Sequence, residues 1–355
     1  MKKLLTLLLC GLSTAWAYAA TAIVDGIEWS YRIEDGKAII ENEVNFDLPA
    51  IDSETSGEIT IPSKLGGKDV TSIGYRAFAA CSQLTKVTIP EGVKRIEYYA
   101  FMECTSLESV IIPSTVTTMM NGAFMGCTAL YKDASGVQYE SANKVVLIKV
   151  PTTQTGAFEV PEGVRFIGSD AFAGCTGITS VKIPESVISV HAAFSSVGSD
   201  IAFYTDDEGV RYESEDKVVL ISVPSTLTGE FTIPESVRFI EWGAFSWVRY
   251  EGACTQLTAV TIPEGVEEIG YGAFRGCTGL TAITIPSSVR IVRDKAFIGC
   301  TGLTSVTICE GVGELELDNR GKQPCICKLH KPYLCYDSQK YKGWAWRFPE
   351  VYEFN

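Results

Sequence analysis

The sequence predicts a β-rich repeat solenoid made of coils about 23 residues long, and three observations predict it. Near-identical segments recur: LTKVTIPEGVKRIEYYAFMEC at 84–104, LESVIIPSTVTTMMNGAFMGC at 107–127 and LTAVTIPEGVEEIGYGAFRGC at 257–277. An Ala-Phe pair keeps register, with Phe78, Phe101 and Phe124 spaced 23 residues apart and Phe274 and Phe297 likewise. Within each copy, apolar and polar residues alternate for a few positions and then stop at Pro, the signature of a short strand. A fixed period in this range means stacked supersecondary units, because one coil cannot bury Val87, Ile89, Val93, Ile96 and Phe101 by itself.

Taken in order, residues 1–19 read as an export signal: Lys2 and Lys3, an apolar stretch Leu4 to Leu12, and Ala17-Tyr18-Ala19 as the cleavage site. The apolar stretch is too short to span a bilayer. The expected location is exported: secreted, periplasmic or cell-surface associated. Residues 20–58 alternate as strands around Asp35-Gly36 and read as an N-terminal β cap, since a solenoid must hide the open face of its first coil. Residues 59–308 form the repeat array. In each coil, Val87 and Ile89 or their equivalents make one strand, Glu91-Gly92 turns, and Val93 and Ile96 return to the core. Ala100-Phe101 is expected on a short helical or 3₁₀ turn.

Two inserts, at about 131–157 and 203–230, carry nearly one sequence: GVQYESANKVVLIKV from Gly136 and GVRYESEDKVVLISV from Gly209, offset by 73 residues. They read as β-hairpins turning at Asn143-Lys144 and Asp216-Lys217. A third insert, Ser246 to Glu251, precedes Cys254.

Cys81, Cys104, Cys127, Cys175, Cys254, Cys277 and Cys300 share one slot of the repeat, and Val197 takes it in the degenerate copy. A slot that accepts Val asks for a small apolar group, so a buried thiol ladder is expected there. Residues 309–355 read as a cysteine-containing C-terminal cap with aromatic residues from Tyr341 to Phe348. Cys309, Cys325, Cys327 and Cys335, with His330 between, allow two disulfides or a zinc site, and an exported chain favours disulfides.

The formal charge of −13 disfavours nucleic acid and anionic membrane surfaces as partners. The outward strand positions, such as Lys86/Thr88, Ala259/Thr261 and Ser305/Thr307, are small and mostly neutral, unlike the convergent charged groups of a glycan-cleaving groove. His191 and His330 stand beside no evident nucleophile in the sequence, and no hydrolase, phosphate-loop or zinc-protease motif occurs. No enzyme, cofactor or metal is expected. The position three before each Phe reads Tyr75, Tyr98, Asn121, Ser169, His191, Trp242, Tyr271 and Asp294. Tyr75, Tyr98, Trp242 and Tyr271, extended by Trp247 and Tyr250 of the third insert, are candidate ligand anchors. Alternatively, these rings pack along the edge of the stack.

The pattern IPEGVxxIGxxAFxGCTxLTxVTIP resembles the BspA-type leucine-rich repeat family of bacterial surface and secreted proteins over residues 59–308. Asp25-Gly26-Ile27-Glu28-Trp29 and the Gly-Val-x-Tyr inserts resemble companions of that family. The resemblance implies a leucine-rich-repeat type of solenoid in an exported, non-enzymatic protein. It also implies adhesion to host proteins such as fibronectin and fibrinogen, and co-aggregation, with no catalytic residues to carry over. The expected partner is therefore a protein of the host extracellular matrix or a bacterial surface. Glycan binding, or scaffolding in a secreted assembly, is the alternative. The cysteine-bearing C-terminal segment departs from common members.

Overall fold

The structure, a computed structural model, describes residues 20–42, 48–194, 204–246 and 252–315. Residues 1–19, where an export signal is expected, and the segment holding Cys325, Cys327, His330 and Cys335 lie outside the described residues, as do Trp247 and Tyr250. Two compact units share the chain. One holds Met1–Pro151, Pro161–Phe172 and Pro184–Ala193, and the other holds Thr152–Val160, Ala173–Ile183 and Phe194–Asn355.

In the first unit the coils between Gly57 and Met119 supply strands to two parallel ladders. Gly57–Thr60, Leu84–Thr88 and Ser109–Ile111 form one, with Ile59, Val87 and Val110 in register and buried. The other runs through Lys68–Ile73, Arg95–Ile96 and Thr118–Met119, which aligns Ile73, Ile96 and Met119. Alternation sends these side chains inward because successive residues of a strand face opposite sides. The ladder starts from an antiparallel pair of turns. Ala20–Val24, Ile27–Glu34 and Lys37–Ile40 pair in sequence, and Lys37–Ile40 then pairs parallel with Lys68–Ile73. Asp25-Gly26 and Asp35-Gly36 have φ of 52° and 80°, and 49° and 72°, the two positive values that a two-residue type I′ turn requires.

The second unit repeats the plan. Gly229–Thr232, Leu257–Thr261, Ala282–Ile285 and Ser305–Ile308 form one parallel ladder, and Phe239–Ile240, Glu268–Ile269, Ile291–Val292 and Glu314–Leu315 belong to the other. In both inserts an antiparallel pair feeds the parallel ladder. Gln138–Tyr139 pairs with Val146–Lys149, which pairs with Phe166–Ile167. Arg211–Tyr212 pairs with Val219–Ser222, which pairs with Phe239–Ile240.

The expected helical or 3₁₀ turn around each Ala-Phe pair is corrected: no residue described is helical, and the segment is a run of successive hydrogen-bonded turns. Ala77, Ala79 and Cys81 donate back to the carbonyls of Gly74, Arg76 and Phe78 at 3.3, 2.9 and 3.1 Å. The alternate N–H groups of Arg76, Phe78 and Ala80 leave the coil for Tyr98, Ala100 and Met102 of the next one at 3.2, 2.7 and 2.7 Å. A helix would keep every N–H within the coil, whereas stacking needs half of them outside it. The alternation is made by left-handed residues two before and two after the Phe: Arg76 and Ala80, Tyr99 and Glu103, Gly272 and Gly276, Lys295 and Gly299.

These turns stack the phenylalanines. Phe78 and Phe101 lie 5.0 Å apart at 3°, Phe101 and Phe124 5.4 Å at 4°, and in the second unit Phe274 and Phe297 5.1 Å at 5°. Beside each column runs the expected thiol ladder, with all seven repeat cysteines buried and none in a disulfide. The thiols are also hydrogen-bonded: Cys104 donates to the Phe78 carbonyl at 3.0 Å, Cys127 to Phe101 at 2.9 Å and Cys300 to Phe274 at 2.9 Å. Burial pushes the Cys81 thiol up to about 12 and the Cys300 thiol to about 11, so both stay protonated and unreactive at neutral pH.

Candidate functional site

The residues three before each Phe sit at the entrance of the turn run, and their surroundings differ. Tyr75 is 38% exposed, Tyr98 is half-buried, and Asn121 and Ser169 replace the ring in the following coils. In the first unit Tyr75 meets Tyr99 edge-on with centroids 6.1 Å apart, and Tyr98 lies 6.4 Å from the same ring. In the second unit Trp242 and Tyr271 are half-buried, 6.4 Å apart and tilted by 44°. Lys295 donates to the Tyr271 hydroxyl at 2.9 Å, with its ammonium 5.1 Å from the ring centroid. That hydrogen bond holds the Lys295 ammonium above the ordinary lysine range.

The structure thus brings Tyr75 and Tyr98 together through Tyr99, and Trp242 together with Tyr271. Sequence reasoning missed Tyr99 and Lys295, which share the left-handed position two before the Phe with Arg76, Asp170 and the glycines. A mixed set of Gly, Asp and large residues at one slot was the available signal, since only a positive φ selects Gly and Asp together. Half-buried rings and a ring-bound ammonium lie on these turn runs, and the outward positions Thr284 and Thr307 are exposed.

His191 requires a correction. The sequence placed no nucleophile beside it, yet Ser189 Oγ lies 3.1 Å from its Nε2, because residues two apart on an extended segment face the same side. Both are buried, at 3% and 2% exposure, so the pair is closed to any substrate. Sequence reasoning also missed two buried carboxylates in the inserts. Glu140 accepts the N–H groups of Val145 and Val146 at 3.0 and 2.6 Å and the Ser141 hydroxyl at 2.8 Å. Glu213 does the same with Val218, Val219 and Ser214 at 2.8, 2.6 and 2.9 Å. Burial outweighs these donors and raises the Glu213 carboxyl to about 7. The signal was present as Tyr-Glu-Ser in both inserts.

Cys309 is half-buried and makes no disulfide among the described residues. Among those residues no group of His, Cys, Asp and Glu is placed to hold a metal ion, and no helix is long and apolar enough to cross a membrane.

The repeat grammar seen in space has a counterpart among known families. The model of the BspA-type leucine-rich repeat region matches in six copies over residues 54–138, 152–202 and 225–318, well over half of the chain. The chain belongs to this family. Its stacked ladders are the BspA-type leucine-rich repeat fold, rich in β-structure. Three solved structures illustrate what this BspA-type chain is similar to. A leucine-rich cell surface protein from Faecalibacterium prausnitzii A2-165 is 22% identical, with 90% of this chain and 96% of that chain covered and a TM-score of 0.33. The leucine-rich repeat protein of T. pallidum is 18% identical, covering 81% and 88%, with a TM-score of 0.29. A leucine-rich repeat protein from Bacteroides ovatus is 24% identical, covering 80% and 94%, with a TM-score of 0.29. No curated protein matches the sequence.

Proposed function

We propose that this BspA-type protein is exported and non-enzymatic, and that it adheres to a protein of the host matrix or of a bacterial surface through an extended solenoid face. In this reading residues 1–19 are removed on export, 20–58 and 309–355 cap the two ends, and the inserts at 131–157 and 203–230 are hairpins attached to the repeat array. The observation that carries the reading is the pair of surface aromatic groups, Tyr75–Tyr98–Tyr99 and Trp242–Tyr271–Lys295, set on rigid hydrogen-bonded turns. Rings already ordered lose little entropy on binding and supply large contact area. Membership of the BspA-type family is consistent with it, and the similar F. prausnitzii protein is itself a cell surface protein.

The tilt between Trp242 and Tyr271 supports a second reading, in which sugar rings pack on the aromatic pair. The discriminating measurement is a screen of the purified protein against matrix proteins, mucins and a glycan panel, with a heat-unfolded control. Saturable, fold-dependent binding to a protein supports adhesion, and binding to glycans alone supports the second reading. Paired alanine substitutions at Tyr75 and Tyr98, or at Trp242 and Tyr271, should weaken the interaction about tenfold or more if those rings are anchors. Silence across the panel in a folded protein overturns both readings in favour of a scaffold.

A further inference from the structure

The phenylalanine column of the first unit ends at Phe124, and a cavity lies beside that end. After Phe124 the next Ala-Phe pair on a turn run is Ala171-Phe172, since Ala157-Phe158 lies on the strand Thr155–Glu159, and the coil between them passes through Ile148-Lys149-Val150-Pro151. Val150 takes the phenylalanine slot there, because its N–H donates to the Ala171 carbonyl at 2.8 Å as Phe78 donates to Ala100. Beside this end of the column a cavity of about 240 Å³ is lined by Met119, Phe124, Val146, Ile148, Lys149 and Gly168 among others. Met125, also in its lining, is 61% exposed.

The same break leaves backbone donors unanswered. Phe101 and Glu103 send their N–H groups to Ala123 and Met125 of the next coil at 2.8 and 2.7 Å. The equivalent groups of Phe124 and Gly126 have no acceptor among the described residues, and both residues line the cavity. Phe124 is buried, so its unanswered N–H is a demand for an acceptor, while Gly126 is exposed and its N–H is open to water.

The second unit shows which acceptor fits. Phe194 is the last repeat phenylalanine before the second insert, and Val223 takes the following slot by donating to Ala244 at 2.8 Å. There the Phe194 N–H donates to Glu241 Oε1 at 2.9 Å, and the Trp242 N–H donates to Oε2 at 2.6 Å. By the 73-residue offset of the duplication, Glu241 corresponds to Gly168. The second unit fills its break with its own carboxylate, and the first unit has only a hydrogen atom at that position.

We propose that the first-unit cavity is a binding site for a carboxylate on a small apolar body. The carboxylate accepts from the Phe124 and Gly126 N–H groups as Glu241 accepts from Phe194. Lys149, whose ammonium also donates to the Asp170 carbonyl at 3.1 Å, supplies a positive charge beside Asp170 on the lining, and Met119, Phe124, Val146 and Ile148 surround the apolar part. The proposal is independent of the adhesion reading. The carboxylate comes from a free acid or from a peptide C-terminus, and these are separable.

The test is calorimetric titration of the purified full chain with 3-phenylpropionate, with a short peptide ending in a free Phe carboxylate, and with the amide of each. Saturable binding of at least one carboxylate, at least tenfold tighter than its amide, is expected, and the one that binds names the source. Gly168→Glu should abolish binding. Gly168 has an ordinary φ, and an added Cβ there meets nothing closer than the Leu147 carbonyl at 3.3 Å, so the variant should fold. Lys149→Met should weaken the carboxylate about tenfold while leaving amide affinity unchanged, independently of the glycine variant. Absence of binding by both acids, equal binding of acid and amide, or full affinity in folded Gly168→Glu would each overturn the proposal.

Discussion

Trp29 meets Phe78 edge-on, with ring centroids 6.1 Å apart and planes at 77°. Every later ring in that column lies nearly flat on its neighbour, whereas the tryptophan of the antiparallel segment meets the column's first ring by its edge. Trp29 is 1% exposed, and Phe78 is fully buried beneath it. In a repeat array, stability comes largely from interfaces between neighbours, so the first interface bears on all those behind it.

Trp29→Ala should therefore cost about 3–5 kcal/mol, the usual loss for a buried aromatic truncated to Ala. Trp29→Phe should recover most of it. Guanidinium unfolding followed by circular dichroism measures both, and a Trp29→Ala loss under about 1 kcal/mol would show that the ring is not closing the column.

The left-handed turn positions make opposite predictions for Gly and non-Gly residues. Ala80 holds φ of 59° and is exposed, so Ala80→Gly should stabilise by about 1 kcal/mol through relief of backbone strain. Gly299 holds φ of 77°, and an added Cβ there meets nothing closer than 3.6 Å. Gly299→Ala should thus destabilise by about 1 kcal/mol from backbone conformation alone. Thermal unfolding of the two variants should show shifts of opposite sign.

Glu213 sets a pH dependence. Its folded carboxyl is raised to about 7, whereas an unfolded glutamate titrates near ~4.3. The folded state binds this proton more tightly, so its contribution is fully present below the unfolded value and is lost as pH rises to about 7. Denaturant midpoints compared from pH 4 to 8 should show the wild-type protein losing stability relative to the non-titrating Glu213→Gln as pH rises through that window. A constant difference would contradict the titration.

The thiols should divide by burial. Cys81 and Cys300, raised to about 12 and about 11, should resist iodoacetamide at pH 8 until the protein unfolds. Cys309, half-buried, should be alkylated first among the eight described cysteines. Mass-spectrometric mapping at timed intervals reads the order directly.

Much of the candidate surface was legible in advance, and its unequal parts show why. Tyr75, Tyr98, Trp242 and Tyr271 recur at one slot, so a count from each Phe finds them. Tyr99 and Lys295 escape that count because their slot is defined by a positive φ and holds Gly in other coils. Reading Ala-Phe as a helical turn failed for a related reason. A run of small and apolar residues is compatible with a helix or with serial turns, and the choice depends on where alternate N–H groups find acceptors.

The sequence by itself determined the period, the inward residues, the thiol slot and the BspA-type repeat family, because each is a recurrence of side-chain type forced by repeated burial. Only the tertiary structure decided that Phe124 ends a column, that Glu241 answers the Phe194 N–H, and that Gly168 leaves its counterpart open. Those facts concern hydrogen bonds and volumes shared between coils. A coil's own sequence records what it buries, but not which atoms of the next coil arrive to meet it.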